Sequence, residues 1–190
     1  IYENASNGSL QNLLEISNKN DKIQGWTDTK KLIFLYGLAS GMSYLNSLNY
    51  IHYNLKPENI FLDDFLFPKI GGLEMSRKIN GEHVTNMFHL ITLMSPYEPP
   101  DLFYDEHNFA SRDVYSFGLI TYHIITSEKP FDGISSPQIF SLLEDCKRPE
   151  FKRPILDCYR KLIEKCWSQD PNDRPTFEET TKNLLQTQLI

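Results

Sequence analysis

The residues best suited to chemistry lie close together in "IHYNLKPEN", residues 51–59, and the stretch runs on through "IFLDDFLFPKIGGLE" to residue 74. His52, Asn54, Lys56 and Asn59 share one short polar loop. A lysine supplies a compact positive charge for a phosphate, and an asparagine supplies an amide oxygen and two N–H donors. Asn54 has the shape of an aspartate and can hold a hydroxyl by hydrogen bond, but it cannot take the proton. Asn59 alone is a poor site for Mg2+, which favours hard anionic oxygens. Asp63 and Asp64 have the chemistry of turn residues. The stretch closes on Gly71 and Gly72, which bring no side chain at all.

The rest of the composition narrows the field. A chain of 190 residues supports one domain with a substantial core. Its net charge of −6 disfavours a nucleic-acid or anionic-membrane surface. No apolar run reaches the ~18 residues that span a bilayer. Cys146, Cys158 and Cys166 are too few for a disulfide framework and lack metal-type spacing with histidine. They read as buried, reduced thiols, which places the protein in the cytoplasm with no membrane span. His83 and His89 read as solvated loop residues.

Elements must position the polar loop. "NASNGS" is a turn, and Ser9 is placed to cap a short helix over "LQNLLEIS". From Thr27, apolar residues recur at Leu32, Leu35, Ala39, Met42, Leu45 and Leu48, the stripe of a long helix. "NIFLDDFLFPKI" reads as a small hairpin, and residues 71–101 as a long irregular loop of the kind that is usually functional. In "DVYSFGLITYHIIT", residues 113–126, apolar positions fall on every face, which predicts a buried central helix. Further helices are expected near 137–145, from Pro154 to Trp167, and after Pro175, where Thr176 and Glu179 have capping-box spacing. The expected architecture is mainly α: about six helices around the buried one, with a hairpin beside the polar loop.

In that order, these elements resemble the C-terminal lobe of a eukaryotic protein kinase. "IHYNLKPEN" resembles the catalytic loop H-R-D-L-K-x-x-N, "DVYSFG" the start of the central helix, and "KPFDG" the segment after it. "CWSQDPNDRPTF" resembles the entry to the last helix, as in the tyrosine-kinase-like branch, and "YENASNGSL" the hinge between lobes. The resemblance covers nearly the whole chain. It implies that residues 1–190 begin at the hinge, residues 1–9, with the N-terminal lobe absent from this chain. That smaller lobe would carry the glycine-rich loop, the strand lysine and its glutamate partner.

The resemblance also assigns roles. Phosphoryl transfer needs positioning, metal-assisted charge neutralisation and a carboxylate for the attacking hydroxyl. Asn54 stands in place of that aspartate, and Tyr53 in place of the arginine before it. Gly72 falls where the family's metal-gripping aspartate lies. Lys56 would face the γ-phosphate and Asn59 a second metal, or both would serve as scaffold. Glu3 and Ala5 would present hinge groups to adenine, Phe61 would floor that pocket, and Tyr2 would be the gatekeeper. His52 and Asp113 match a pair that fastens the loop to the central helix. Asp101, at the end of "PPD", would pair with Arg174 through a longer or bridged contact, since aspartate is shorter than the family's glutamate. Thr85, Thr92 and Ser95 lie in the activation segment as candidate phosphorylation sites.

This pattern implies a pseudokinase lobe that binds an N-terminal lobe or another signalling protein and requires no cofactor by itself. ATP and Mg2+ belong only to an intact parent. The alternative is an active ATP-dependent Ser/Thr kinase with displaced acids, Glu74 serving as metal ligand; "LKPEN" follows the Ser/Thr pattern.

Overall fold

The computed structural model describes residues 5–18, 23–79, 95–103 and 110–187. Six α-helices and two small antiparallel strand pairs occur among them. The helices are α1 (Leu10–Asn18), α2 (Asp28–Ser47), α3 (Ala110–Thr126), α4 (Ser136–Glu144), α5 (Asp157–Cys166) and α6 (Phe177–Thr187). The strands are β1 (Tyr50–Ile51), β2 (Ile60–Leu62), β3 (Pro68–Ile70) and β4 (Arg77–Lys78). The mainly α architecture expected from the sequence is present.

The α3 helix is the pillar: every residue from Ser111 to Ile124 is buried. It packs against α5 at Gly118, where an added Cβ would come 2.7 Å from the Cβ of Cys166. Only a glycine admits that approach. On α2 the core face is Phe34, Leu35, Leu38, Ala39 and Met42. Leu48, expected to extend the stripe, instead ends the helix as its C-cap and is 46% exposed. Thr27 caps the other end through the Lys30 N–H. Thr176 and Glu179 form the expected capping box before α6, with each side chain accepting the other residue's N–H.

Three boundaries differ from the sequence reading. The α3 helix begins at Ala110, a turn before Asp113, and α5 begins at Asp157 because Pro154–Leu156 is extended. The supposed loop after residue 71 contains a 3-10 turn, Leu73–Met75, and strand β4. That strand pairs with β1 in the register Tyr50↔Lys78 and Ile51↔Arg77. Two-residue strands carry no alternation to read. The thiols differ as well: Cys166 is buried, but Cys158 is half-buried and Cys146 is exposed in the turn after α4. No helix among the described residues is long and apolar enough to cross a membrane.

The expected hairpin is β2–β3, with Ile60↔Ile70, Phe61↔Lys69 and Leu62↔Pro68 in register. Asp63 makes its turn, accepting the N–H groups of Phe65 (3.0 Å) and Phe67 (2.8 Å) on one carboxylate oxygen. Asp64 accepts the Ser6 hydroxyl. Asn7 and Gly8 bond to the backbone of Leu62, which lays the first described residues alongside β2.

Candidate functional site

The polar loop is hung from the pillar. Asp113, in the first turn of α3, accepts the His52 N–H at 2.7 Å and the Tyr53 N–H at 3.0 Å. Burial pushes its carboxyl up to about 7, while those two N–H groups and the nearby Arg112 favour the charged form. Tyr53 takes a left-handed backbone (φ 62°), turning the chain sharply after this anchor. Burial also pushes its phenol up to about 12.

His52 is fully occupied. Its Nε2 lies 2.8 Å from the carbonyl oxygen of Gly71, so that nitrogen carries the proton, and its Nδ1 accepts the Asn54 N–H at 3.2 Å. Burial lowers its pKa and keeps the ring neutral. The ring therefore ties the loop to the glycine pair and is not a free base. Asn54 is half-buried, and its carbonyl accepts the Asn59 Nδ2–H at 2.8 Å. Lys56 caps the 3-10 turn Pro57–Asn59 with extended backbone and is half-buried. The sequence-predicted residues His52, Asn54, Lys56, Asn59 and Asp113 are thus brought together.

The glycine pair has its own geometry. Gly72 is left-handed (φ 72°), and an added Cβ would meet the Asn59 side chain at 2.5 Å (Cγ) and 2.7 Å (Nδ2). At Gly71 a Cβ would meet the Phe61 ring at 2.7 Å. Asn59 and Phe61 have settled into the space that side chains at 72 and 71 would need. Asn59 is already committed through Nδ2 and has only its amide oxygen to offer a cation, and Gly72 offers nothing. This donor set does not fit Mg2+. Glu74 is exposed in the Leu73–Met75 turn, where its carbonyl accepts from Arg77. Among the described residues no group of three acidic, His or Cys side chains could hold a metal.

Where the resemblance places adenine, Phe61 is exposed on β2, and the Ala5 carbonyl accepts the Gly8 N–H at 3.3 Å rather than standing open. Tyr2, Glu3, His83, Thr85, His89 and Thr92 lie outside the described residues. The Ser95 hydroxyl accepts the Tyr97 N–H. Beneath this segment, Arg174 clasps Asp101 with both terminal nitrogens, Nη1 to Oδ2 at 3.2 Å and Nη2 to Oδ1. Its Nε bonds to the Ser168 carbonyl at 2.9 Å, and its guanidinium lies 5.0 Å from the Tyr115 ring centre. The pair is direct, not lengthened or bridged: the 3-10 turn Pro100–Phe103 carries Asp101 close enough to offset its shorter arm.

Two features escaped the sequence reading. Burial pushes the carboxyl of Glu98 up to about 8, near Asp113, Arg112 and Lys56. The Tyr97 hydroxyl and His123 Nδ1 meet at 2.8 Å inside the core, where burial lowers the His123 pKa to about 4. Neither sits in a periodic segment-to-segment pattern that would betray it. Only the apolar-all-round character of α3 hinted that His123 must be buried.

Comparison with known proteins agrees with the fold. A family model described as protein tyrosine and serine/threonine kinase matches residues 1–184. A probable serine/threonine-protein kinase of Dictyostelium discoideum is 34% identical over 158 residues, 82% of this chain and 12% of that protein. Tyrosine-protein kinase FRK of Homo sapiens is 31% identical over 182 residues, 94% of this chain and 35% of its own length. Serine/threonine-protein kinase CTR1 of Arabidopsis thaliana is 29% identical over 189 residues, 98% of this chain and 22% of its own. The chain thus spans between 12% and 35% of the length of these relatives.

Proposed function

The chain belongs to the protein tyrosine and serine/threonine kinase family, and we propose that within it this is the C-terminal lobe of a pseudokinase, a cytoplasmic module that binds and regulates another signalling protein. One observation carries the reading. The carboxylates that orient the hydroxyl and grip the metal are replaced together, by Asn54 and Gly72, and the Asn59 side chain occupies the volume beside Gly72. A positioned base typically contributes ~10²–10⁴-fold to rate, and an asparagine cannot supply it. What the loop keeps is structural: His52 holding Gly71, Asn59 holding Asn54, and Asp113 holding the loop backbone.

The rival is an active Ser/Thr kinase, favoured by the retained Lys56 and Asn59 and by the names of the relatives. It requires Glu74 to leave its exposed turn and reach the phosphates. Under the pseudokinase reading, an N-terminal lobe or another chain covers the upper surface, where Phe61 and Leu73 are exposed. ATP and Mg2+ would then have no catalytic part.

The deciding experiment is thermal unfolding of the whole protein with ATP, with and without Mg2+. A ligand at 100 times its dissociation constant stabilises by ~2.7 kcal/mol, which a melting curve resolves. No shift, or one indifferent to Mg2+, is expected. A shift that requires Mg2+ and disappears in Glu74→Ala overturns the reading in favour of the rival.

A further inference from the structure

Charge is unevenly spread along this chain. Residues 147–165 hold seven Lys and Arg against three acids, a net +4 within a chain of net −6, so the remainder carries −10. This basic stretch joins α4 to α5 and includes nearly all of α5. It contains a tandem motif, "KRPEF" followed by "KRPIL", residues 147–151 and 152–156. The two copies are used differently.

In the first copy Arg148 and Phe151 are turned inward. Arg148 Nε donates to the Trp167 carbonyl at 2.9 Å, and its Nη2 donates to Gln169 at 2.7 Å. Phe151 completes a triangle of rings with Tyr122 and Trp167, its ring centre 5.5 Å from each and theirs 5.8 Å apart. Tyr122 also donates to the Glu150 carbonyl at 2.9 Å. These contacts fix the backbone of the connection, and Pro149 and Pro154 stiffen it further.

The second copy is turned outward. Lys152 and Arg153 are exposed, and Leu156 is 66% exposed. Lys147 and Lys161 are exposed beside them in sequence. Lys152 has a loose contact with Glu128 at 3.5 Å, and Arg160 divides itself between Glu164 at 3.7 Å and the Phe151 ring at 4.3 Å. Lys147, Arg153, Lys161 and Lys165 have no ion pair among the described residues. A rigid connection thus presents Lys152 and Arg153 next to one exposed leucine, on a molecule that is otherwise strongly acidic.

We infer that the outward "KRPIL" segment is a docking surface for a short acidic protein segment that carries an apolar side chain against Leu156. The inference deepens the docking half of the proposed function and is independent of its catalytic half. Charge complementarity selects the occupant. A nucleic acid or an anionic membrane presents an extended field of negative charge, which the −10 on the rest of the chain would oppose. Glu150, Asp157 and Glu164, interleaved with the cations, likewise limit the surface to a short partner.

The test is fluorescence anisotropy of the 190-residue chain with a labelled peptide of alternating glutamate and leucine. A lysine–leucine peptide, phosphatidylserine vesicles and a single-stranded oligonucleotide serve as competitors in kind. Binding of the acidic peptide is expected to weaken with salt and to fall roughly tenfold in Arg153→Glu, about 1.4 kcal/mol. Leu156→Asp should weaken it too, and both variants should melt like the parent because both side chains are exposed. Absence of acidic-peptide binding, binding unchanged in both variants, or tighter binding to vesicles or oligonucleotide overturns the inference. None of those results touches the ATP and Mg2+ melting experiment, so the two readings fail separately.

Discussion

Placing a carboxylate at position 72 by Gly72→Asp should not create a metal site, and the cost of the change can be worked from the structure. The new Cβ would sit 2.5 Å from Asn59 Cγ and 2.9 Å from its Cβ, so the Asn59 side chain has to move. Moving it gives up the Nδ2–H bond to the Asn54 carbonyl, worth about 0.5–1.5 kcal/mol. A left-handed backbone at a residue with a Cβ adds about 1–2 kcal/mol. The expected loss is about 1.5–3.5 kcal/mol, or about 3–14 °C in melting temperature for a domain of this size. Gly72→Ala isolates the steric part and should lose nearly as much. The assay is thermal unfolding of all three proteins with ATP and Mg2+. If Gly72→Asp melts like the parent and gains a Mg2+-dependent shift, the pocket lacked only its carboxylate, and the reasoning about Asn59 is refuted.

Arg174→Ala should destabilise the lobe by about 3–5 kcal/mol, because it leaves Asp101 buried without its partner. A melting temperature equal to the parent's would show that water replaces the guanidinium without loss. Glu98 sets a pH dependence. Its folded-state pKa, raised by burial to about 8 from an ordinary 4.5, makes the native state bind its proton more tightly than the unfolded chain. Its contribution to stability is therefore full below pH 4.5 and is lost as pH rises towards 8. Glu98→Gln should raise the melting temperature at pH 8 by a few degrees, leave it unchanged at pH 4, and flatten the profile between. A profile that keeps its slope would assign the effect to Asp113, which is raised in the same direction.

Much of the fold was legible because its signals are local or periodic. The apolar-all-round run of α3, the Thr176–Glu179 box and the Asp63 turn each state their structure within a few residues. The polar-loop positions were singled out by resemblance, and the structure joins His52, Asn54, Asn59 and Asp113 by hydrogen bonds. The pairing of β1 with β4 was not legible, since two-residue strands are defined by a partner far along the chain. The direct Asp101–Arg174 clasp depends on where a 3-10 turn places a backbone, which side-chain length alone misjudges. Nor could composition reveal that Asn59 fills the space beside Gly72, because that is a property of volumes between residues distant in sequence.

The seam at Gly118 sets how closely α3 and α5 approach. It leaves no room for a side chain between α3 and the Cys166 end of α5. Asp113 lies five residues before Gly118 on the same helix, about 7 Å along its axis. The outward basic segment leads directly into α5, and the polar loop hangs from Asp113. Any side chain at position 118 would therefore have to part α3 from α5, and would disturb the same helix from which the loop backbone hangs.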